Sequence, residues 1–208
     1  MRLLVFFKLI DVLFLINLNS CYFRVAIIYE MYMKYFKIIL FTTLLLVLGS
    51  FGLPKNIYKK VNKEITAVFE ITDFSTKMII ISDAVNTTLP TKINEDNLFK
   101  IIKNDSVYGY FYVGKAPSKT DEFDFLVLFD AELNVRKAKV LIYREDYGNE
   151  IGSKRWLKQF IGKTSSDNLK YGENVDAISG ATISANSMTV AMNNLLHSIS
   201  QLKQQNVL

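Results

Sequence analysis

Asp176-Ala177-Ile178-Ser179-Gly180-Ala181-Thr182 stands directly ahead of a run with helical periodicity, and together they organise the chain. From Met188 onward, apolar residues recur at Met192, Leu195, Ile199 and Leu202, the alternating spacing of one face of an amphipathic helix. Thr182 therefore sits at or just before a helix N-terminus. Unpaired backbone N–H groups and the positive end of the helix dipole converge there, so the position suits a phosphate. Ser179, Gly180 and Ala181 are small and let a bulky ligand approach the backbone. Within that turn only Ser179 and Thr182 carry a hydroxyl able to form a phosphoester. Ser, Thr, Asp and Gly also cluster at ordinary helix starts, which is the second reading of the Ser-Gly-Ala-Thr string taken alone.

Upstream, the centre of the chain reads as antiparallel sheet. Leu98 to Ile102 leads into an Asn104-Asp105 turn, and Val107 to Val113 is rich in aromatic and β-branched residues. Gly114 to Glu122 reads as a polar connection. Phe123 to Phe129 is almost continuously apolar, as in a strand buried on both faces. Val135 to Tyr143 alternates, with Ala138, Val140 and Ile142 on one face and Lys137 and Lys139 on the other, which predicts a strand solvated on one side. Earlier still, Met78 to Ile81 is a short β-type run, and Asp83 to Asn97 reads as a loop. Ile57, Val61, Ile65 and Val68 are spaced as a helix continuing from the N-terminal segment in a juxtamembrane position.

Half of the 208 residues are hydrophobic, and the mean hydropathy of +0.17 owes its excess to the N-terminus. Two apolar runs lie there, Leu3 to Leu18 and Ile38 to Leu53. The second is flanked by Lys34 and Lys37, holds no charge and ends at Pro54. It is slightly short of the ~20 residues that span a bilayer, so anchor and cleaved signal both remain open, and the lack of a small-x-small cleavage pattern favours an anchor. In the first run Asp11 would be costly in lipid. Leu18-Asn19-Ser20-Cys21 faintly resembles a lipoprotein box, and Met31 or Met33 is an alternative start. The chain thus divides into an N-terminal extension (1–32), a membrane anchor or signal segment (33–55) and one globular domain (56–208). The expected class is α+β, an antiparallel sheet packed with helices and preceded by a membrane segment.

Cys21 is the only cysteine and His197, beside the apolar stripe of the last helix, the only histidine, so an intramolecular disulfide, a Cys-based metal cluster, a serine–histidine triad and a multi-histidine metal or haem site are read as unavailable within this sequence. The net charge of +5 is modest and the lysines are dispersed, so nucleic-acid binding has no support. Tyr108 to Tyr112 is read as cross-strand packing rather than a stacking platform.

The segment 176–182 resembles the flavinylation motif of FMN-binding domains, as in the FMN-carrying subunits of the Rnf and sodium-translocating NADH:quinone reductase complexes. In that family a flavin transferase joins FMN to the threonine ending an Asp-x-x-Ser/Thr-Gly-Ala-Thr pattern, often followed by x-Ser/Thr. Asp176, Ser179, Gly180, Ala181, Thr182 and Ser184 match every position. The resemblance, over about Leu98 to Leu202, implies Thr182 as the attachment site, with Asp176 in the motif that the transferase reads. Family members also carry a Glu-Thr-Pro-Gly-Leu-Gly-like loop before a helix bearing Trp or Phe. Here Glu145, Gly148 and the aromatic spacing are kept, but Asp146 and Tyr147 replace Thr-Pro and Gly-Leu-Gly is absent. Flavin contacts at Tyr147, Gly148 and Ile151 are implied correspondingly less directly. Tyr147 and Trp156 could cover a flavin ring, or Trp156 and Phe160 could simply pack one turn apart.

The implied function is a membrane-tethered electron carrier with FMN esterified to Thr182, held on the extracytoplasmic face and exchanging electrons with membrane redox donor or acceptor proteins. Its chemistry would be the cofactor's rather than that of a stand-alone enzyme. Two alternatives are an anchored binding or scaffolding module without flavin, and a flavin-dependent reductase of a small substrate.

Overall fold

The structure, a computed structural model, describes residues 29–42, 53–94 and 96–208. The chain divides into two compact units, Met1–Phe51 and Gly52–Leu208. In the first unit residues 29–42 form helix α1, exposed throughout. Among the described residues no helix is long and apolar enough to cross a membrane. The first apolar run, Asp11, Cys21 and the stretch 43–52 lie outside the described residues.

The second unit is a five-stranded antiparallel meander, with strands β1 (Ser75–Met78), β2 (Leu98–Lys103), β3 (Ser106–Pro117), β4 (Glu122–Asp130) and β5 (Val135–Ile142) in sequential order. Helix α2 (Lys55–Phe69) covers one face and helix α5 (Thr182–Gln204) the other, with the short helices α3 (Asp83–Asn86) and α4 (Lys154–Leu157) in the connections. This is the expected α+β class.

β4 explains why its sequence is an unbroken apolar run. Phe123, Phe125, Val127 and Phe129 enter the core under α5, while Leu126 and Leu128 enter the core under α2. Each such buried side chain contributes ~1.5–3 kcal/mol of burial. Met188, Met192, Leu195, Ile199 and Leu202 form the inward stripe of α5, as their spacing predicts. Asn104 and Asp105, at φ 50° and 58°, form the two-residue turn between β2 and β3; two left-handed residues match the twist of a tight hairpin.

The helix expected from the spacing of Ile57, Val61 and Ile65 forms as α2 and packs on the sheet, these residues being buried with Phe111, Val113, Leu126 and Leu141. Three expectations need correction. The Lys137 and Lys139 face of β5 is for the same reason only partly solvated. Glu64 of α2, its side chain 7% exposed, receives Lys137 Nζ at 2.6 Å and also pairs with Lys139. Burial pushes the Glu64 carboxyl up, but the two lysine hydrogen bonds outweigh it and hold it below the ordinary carboxylate range. Next, β1 ends at Met78, the first residue of the Met78–Ile81 run; the Ile79 N–H still bonds to the Leu98 carbonyl at 3.0 Å and its side chain enters the core, while Ile80 is 75% exposed. Finally, β3 continues through Gly114 to Pro117 in register with β4, Ala116 facing Phe123, so the connection is only the hairpin 118–121. The Asp83–Asn97 stretch also includes the single turn α3 and the buried Leu89 and Ile93.

Candidate functional site

The motif occupies the N-terminus of the 23-residue α5, at the sheet end where β3 and β5 finish. Ala181 is the N-cap and offers no side-chain cap, and the first helical bond runs from the Ala185 N–H to the Ala181 carbonyl at 2.8 Å. The N–H groups of Thr182, Ile183 and Ser184 precede that bond and are the orphan donors of the first turn. Gly180 turns the chain at φ 83°, a left-handed conformation that glycine adopts without strain. Thr182 is exposed, and its Oγ1 donates a long 3.3 Å bond to the Ile178 carbonyl. Ser179, Gly180 and Asp176 are exposed, whereas Ala181 is buried. Thus the motif presents one threonine hydroxyl outward beside unpaired donors.

The matching Ser184 does something else. It is 3% exposed and shares a 3.0 Å hydrogen bond with the Tyr143 hydroxyl. Ser187 donates to the Pro117 carbonyl, so two serines fasten the first turns of α5 to the ends of β5 and β3.

The loop 145–152 reaches the motif through Gly148. At φ 82°, a Cβ there would lie 2.7 Å from Tyr143 Oη, 3.5 Å from the Gly180 carbonyl and 3.6 Å from Ala181 Cβ. The fold thus places Gly148 beside Gly180 and Ala181 of the motif. Tyr147 beside it is 85% exposed. Ile151 is fully buried and faces the core, not a ligand.

Trp156 departs from its possible role as a ring cover. It is buried, packs edge-on against Phe160 at 5.2 Å, and its Nε1 donates to the Asp176 carbonyl at 2.7 Å. Gln159 Oε1 accepts the Asp176 N–H at 2.8 Å, and the Tyr171 hydroxyl accepts from the Ile178 N–H at 3.3 Å. These three side chains hold the backbone before Thr182 and leave the Asp176 side chain outside. Tyr143, Gln159 and Tyr171 carry no motif signal, and only folding brings them here.

Glu145 fastens the loop from its other end. Its Oε1 accepts the Thr120 N–H at 2.6 Å and the Asp121 N–H at 3.2 Å. The Ser118 hydroxyl beside it and those N–H groups pull its pKa down to about 2.

Segments 145–152 and 176–183 contain Glu145, Asp146, Glu150 and Asp176 but no Lys, Arg or His. Glu150 Oε2 lies 3.9 Å from where a Gly180 Cβ would be. A phosphate at Thr182 would therefore be met by backbone donors and the helix dipole, worth ~0.3–1 kcal/mol at an exposed site, with no side-chain cation in either segment.

A five-stranded meander with one long helix on each face, and an uncapped helix start bearing an exposed threonine, defines an α+β domain suited to holding a phosphorylated cofactor at its rim. Residues 119–197 match the family model described as FMN-binding domain, which supports FMN as the cofactor of this stretch. The match starts in the β3–β4 hairpin and so is narrower at its N-terminal end than the Leu98–Leu202 span of the motif resemblance. Among solved structures, the chain is similar to that of Shewanella oneidensis NqrC, at 15% identity and a TM-score of 0.52, covering 73% of this chain and 100% of that one. At that identity the likeness concerns the fold. A comparison with curated proteins finds no match.

Proposed function

We propose that the chain is an electron-transfer flavoprotein carrying FMN covalently through a phosphoester on Thr182, attached by a flavin transferase. The observation that carries this reading is the outward hydroxyl of Thr182 at an uncapped helix start, next to a left-handed Gly180. The family match over 119–197 supports FMN as the group. The ester would form as the Thr182 hydroxyl oxygen attacks the FMN phosphorus of an activated flavin donor held by the transferase, the donor's phosphoanhydride bond breaking and its leaving phosphate departing with the hydroxyl proton; the orphan N–H groups of the first turn would hold the remaining phosphate oxygens.

The surrounding carboxylates favour a covalent bond over reversible retention, since they repel a free phosphomonoester. Bound FMN supplies one- and two-electron chemistry. The protein's part is to present the cofactor at an exposed rim where a partner can reach it, with Tyr147 the nearest exposed aromatic in the loop held by Gly148. The uncharged run Ile38 to Leu53 serves in this reading as the membrane tether, with the globular unit on the extracytoplasmic face beside membrane redox proteins.

Intact mass after co-production with a flavin transferase tests the assignment. The expected gain is that of FMN less one water, absent in Thr182→Ala. An unmodified, colourless protein beside a demonstrably active transferase would leave only an anchored module.

A further inference from the structure

Helix α2 turns two kinds of side chain in two directions. Ile57, Val61, Glu64 and Ile65 face the sheet and are buried, whereas Lys55, Lys59 and Lys63 follow one another at intervals of four on the opposite side and are exposed. The three span ~12 Å along the helix axis. None of their side chains makes a hydrogen bond or ion pair among the described residues.

Nothing within the helix compensates this stripe. The only acid of α2 is Glu64, which is buried and held by Lys137 and Lys139, so that trio keeps one positive charge of its own. Lys60 adds another beside it, its Nζ donating to the Leu141 carbonyl at 2.7 Å. Glu70 and Asp73 come only after the helix has ended. Like charges at this spacing work against the helix until something outside it answers them. The helix on the other face of the sheet is the contrast. All 23 residues of α5 include no Asp or Glu and one lysine, Lys203, in the last turn.

The sequence ahead of the stripe says what it meets. The uncharged run Ile38 to Leu53 ends two residues before Lys55, with Pro54 between. Two peptide steps reach at most ~8 Å, so α2 begins within that distance of the end of the run. In the tether reading above, that end lies among lipid headgroups. A row of lysines on an amphipathic helix directly after a membrane segment suits headgroups that carry negative charge.

We propose that the Lys55, Lys59 and Lys63 face of α2 lies on an anionic phospholipid surface, with the sheet above it and α5, bearing Thr182, on the side turned away from the bilayer. The proposal rests on the tether of the reading above and not on the flavin. Its consequence is orientation: the threonine faces the aqueous side, where a soluble partner reaches it. Each lysine at such a surface shifts the local equilibrium about fivefold, and added salt screens the attraction.

Acetylation of lysines by a soluble reagent, mapped on the full chain by mass spectrometry, tests this in vesicles of phosphatidylcholine alone and of phosphatidylcholine mixed with phosphatidylglycerol. Lys55, Lys59 and Lys63 react about fivefold more slowly in the anionic vesicles than in the neutral ones, while Lys154 of α4 and Lys203 of α5 react alike in both. High salt removes the difference. Lys59→Glu, which breaks no bond in the fold, cuts the protection of Lys55 and Lys63 to about twofold or less, and Thr182→Ala leaves it unchanged. Flavin content measured on the same samples bears on Thr182 alone. Retention on the neutral vesicles reads the tether: a chain that leaves them and still shows salt-sensitive protection on the anionic ones loses the tether and keeps the α2 face. Equal reactivity of the three lysines in both lipids, or protection shared equally by Lys154 and Lys203, overturns the proposal and leaves the stripe to solvent or to an acidic protein.

Discussion

At the amino end of α5 an uncapped helix start meets an exposed threonine and four carboxylates from two adjoining segments; at the amino end of α2 another uncapped start meets a cleft lined in part by Lys115. The backbone device is the same, a cluster of orphan N–H groups at the positive end of a dipole. The side chains decide what each can do with it. Beside α5 an exposed threonine hydroxyl stands at the helix start, where the proposed phosphoester would form, and Glu150 lies near Gly180. Beside α2, Pro54, Lys55 and Asn56 begin the helix with no hydroxyl among them, Asn56 Oδ1 takes the Ile57 N–H, and Lys115 in the adjoining cleft pairs with Glu122.

The largest effect expected from breaking this contrast is at Thr182. Thr182→Ala abolishes covalent flavin entirely while leaving unfolding nearly unchanged, because its only hydrogen bond is long and exposed; intact mass and thermal unfolding read the two together. Trp156→Ala comes next. It empties a buried site and cuts the bond to the Asp176 carbonyl, at a cost of about 3–5 kcal/mol in denaturant unfolding, with flavin loading lowered in the folded fraction.

Glu64→Gln tests the α2 side. It leaves Lys137 and Lys139 facing a neutral amide and destabilises by about 2–3 kcal/mol, below the range for fully buried pairs because both lysines are partly exposed. Flavin loading at Thr182 stays intact. Tyr143→Phe removes the bond to Ser184 and costs about 1 kcal/mol.

The smallest effect belongs to Glu145. Its folded carboxyl titrates near 2, below the ordinary 4.5, so its stabilising contribution is full above pH 4.5 and disappears as the pH falls toward 2. Unfolding temperature against pH is therefore flatter on the acid limb in Glu145→Gln than in the parent.

How far this arrangement was legible follows from what kind of signal each part leaves. The periodicity from Met188 to Leu202 and the unbroken run Phe123–Phe129 are local patterns, and both elements formed where they indicate. The motif around Thr182 was readable because adjacent residues compose it. By contrast, the lysine face of β5 looks solvated in any local reading. Only the tertiary approach of Glu64, far upstream, half-covers it and pairs both lysines with one buried carboxylate. Trp156 was visible as an aromatic one turn from Phe160, yet its bond to Asp176 depends on a loop that closes on a residue 20 positions further on.

The account rests on Thr182 as the point of attachment, and peptide mass mapping tests that most directly. Digestion with trypsin after co-production with an active flavin transferase releases a peptide spanning 171–203, whose fragmentation should place FMN less one water on Thr182 and on no other residue. The same mass on Ser179 or Ser184, or an unmodified peptide throughout, would contradict it.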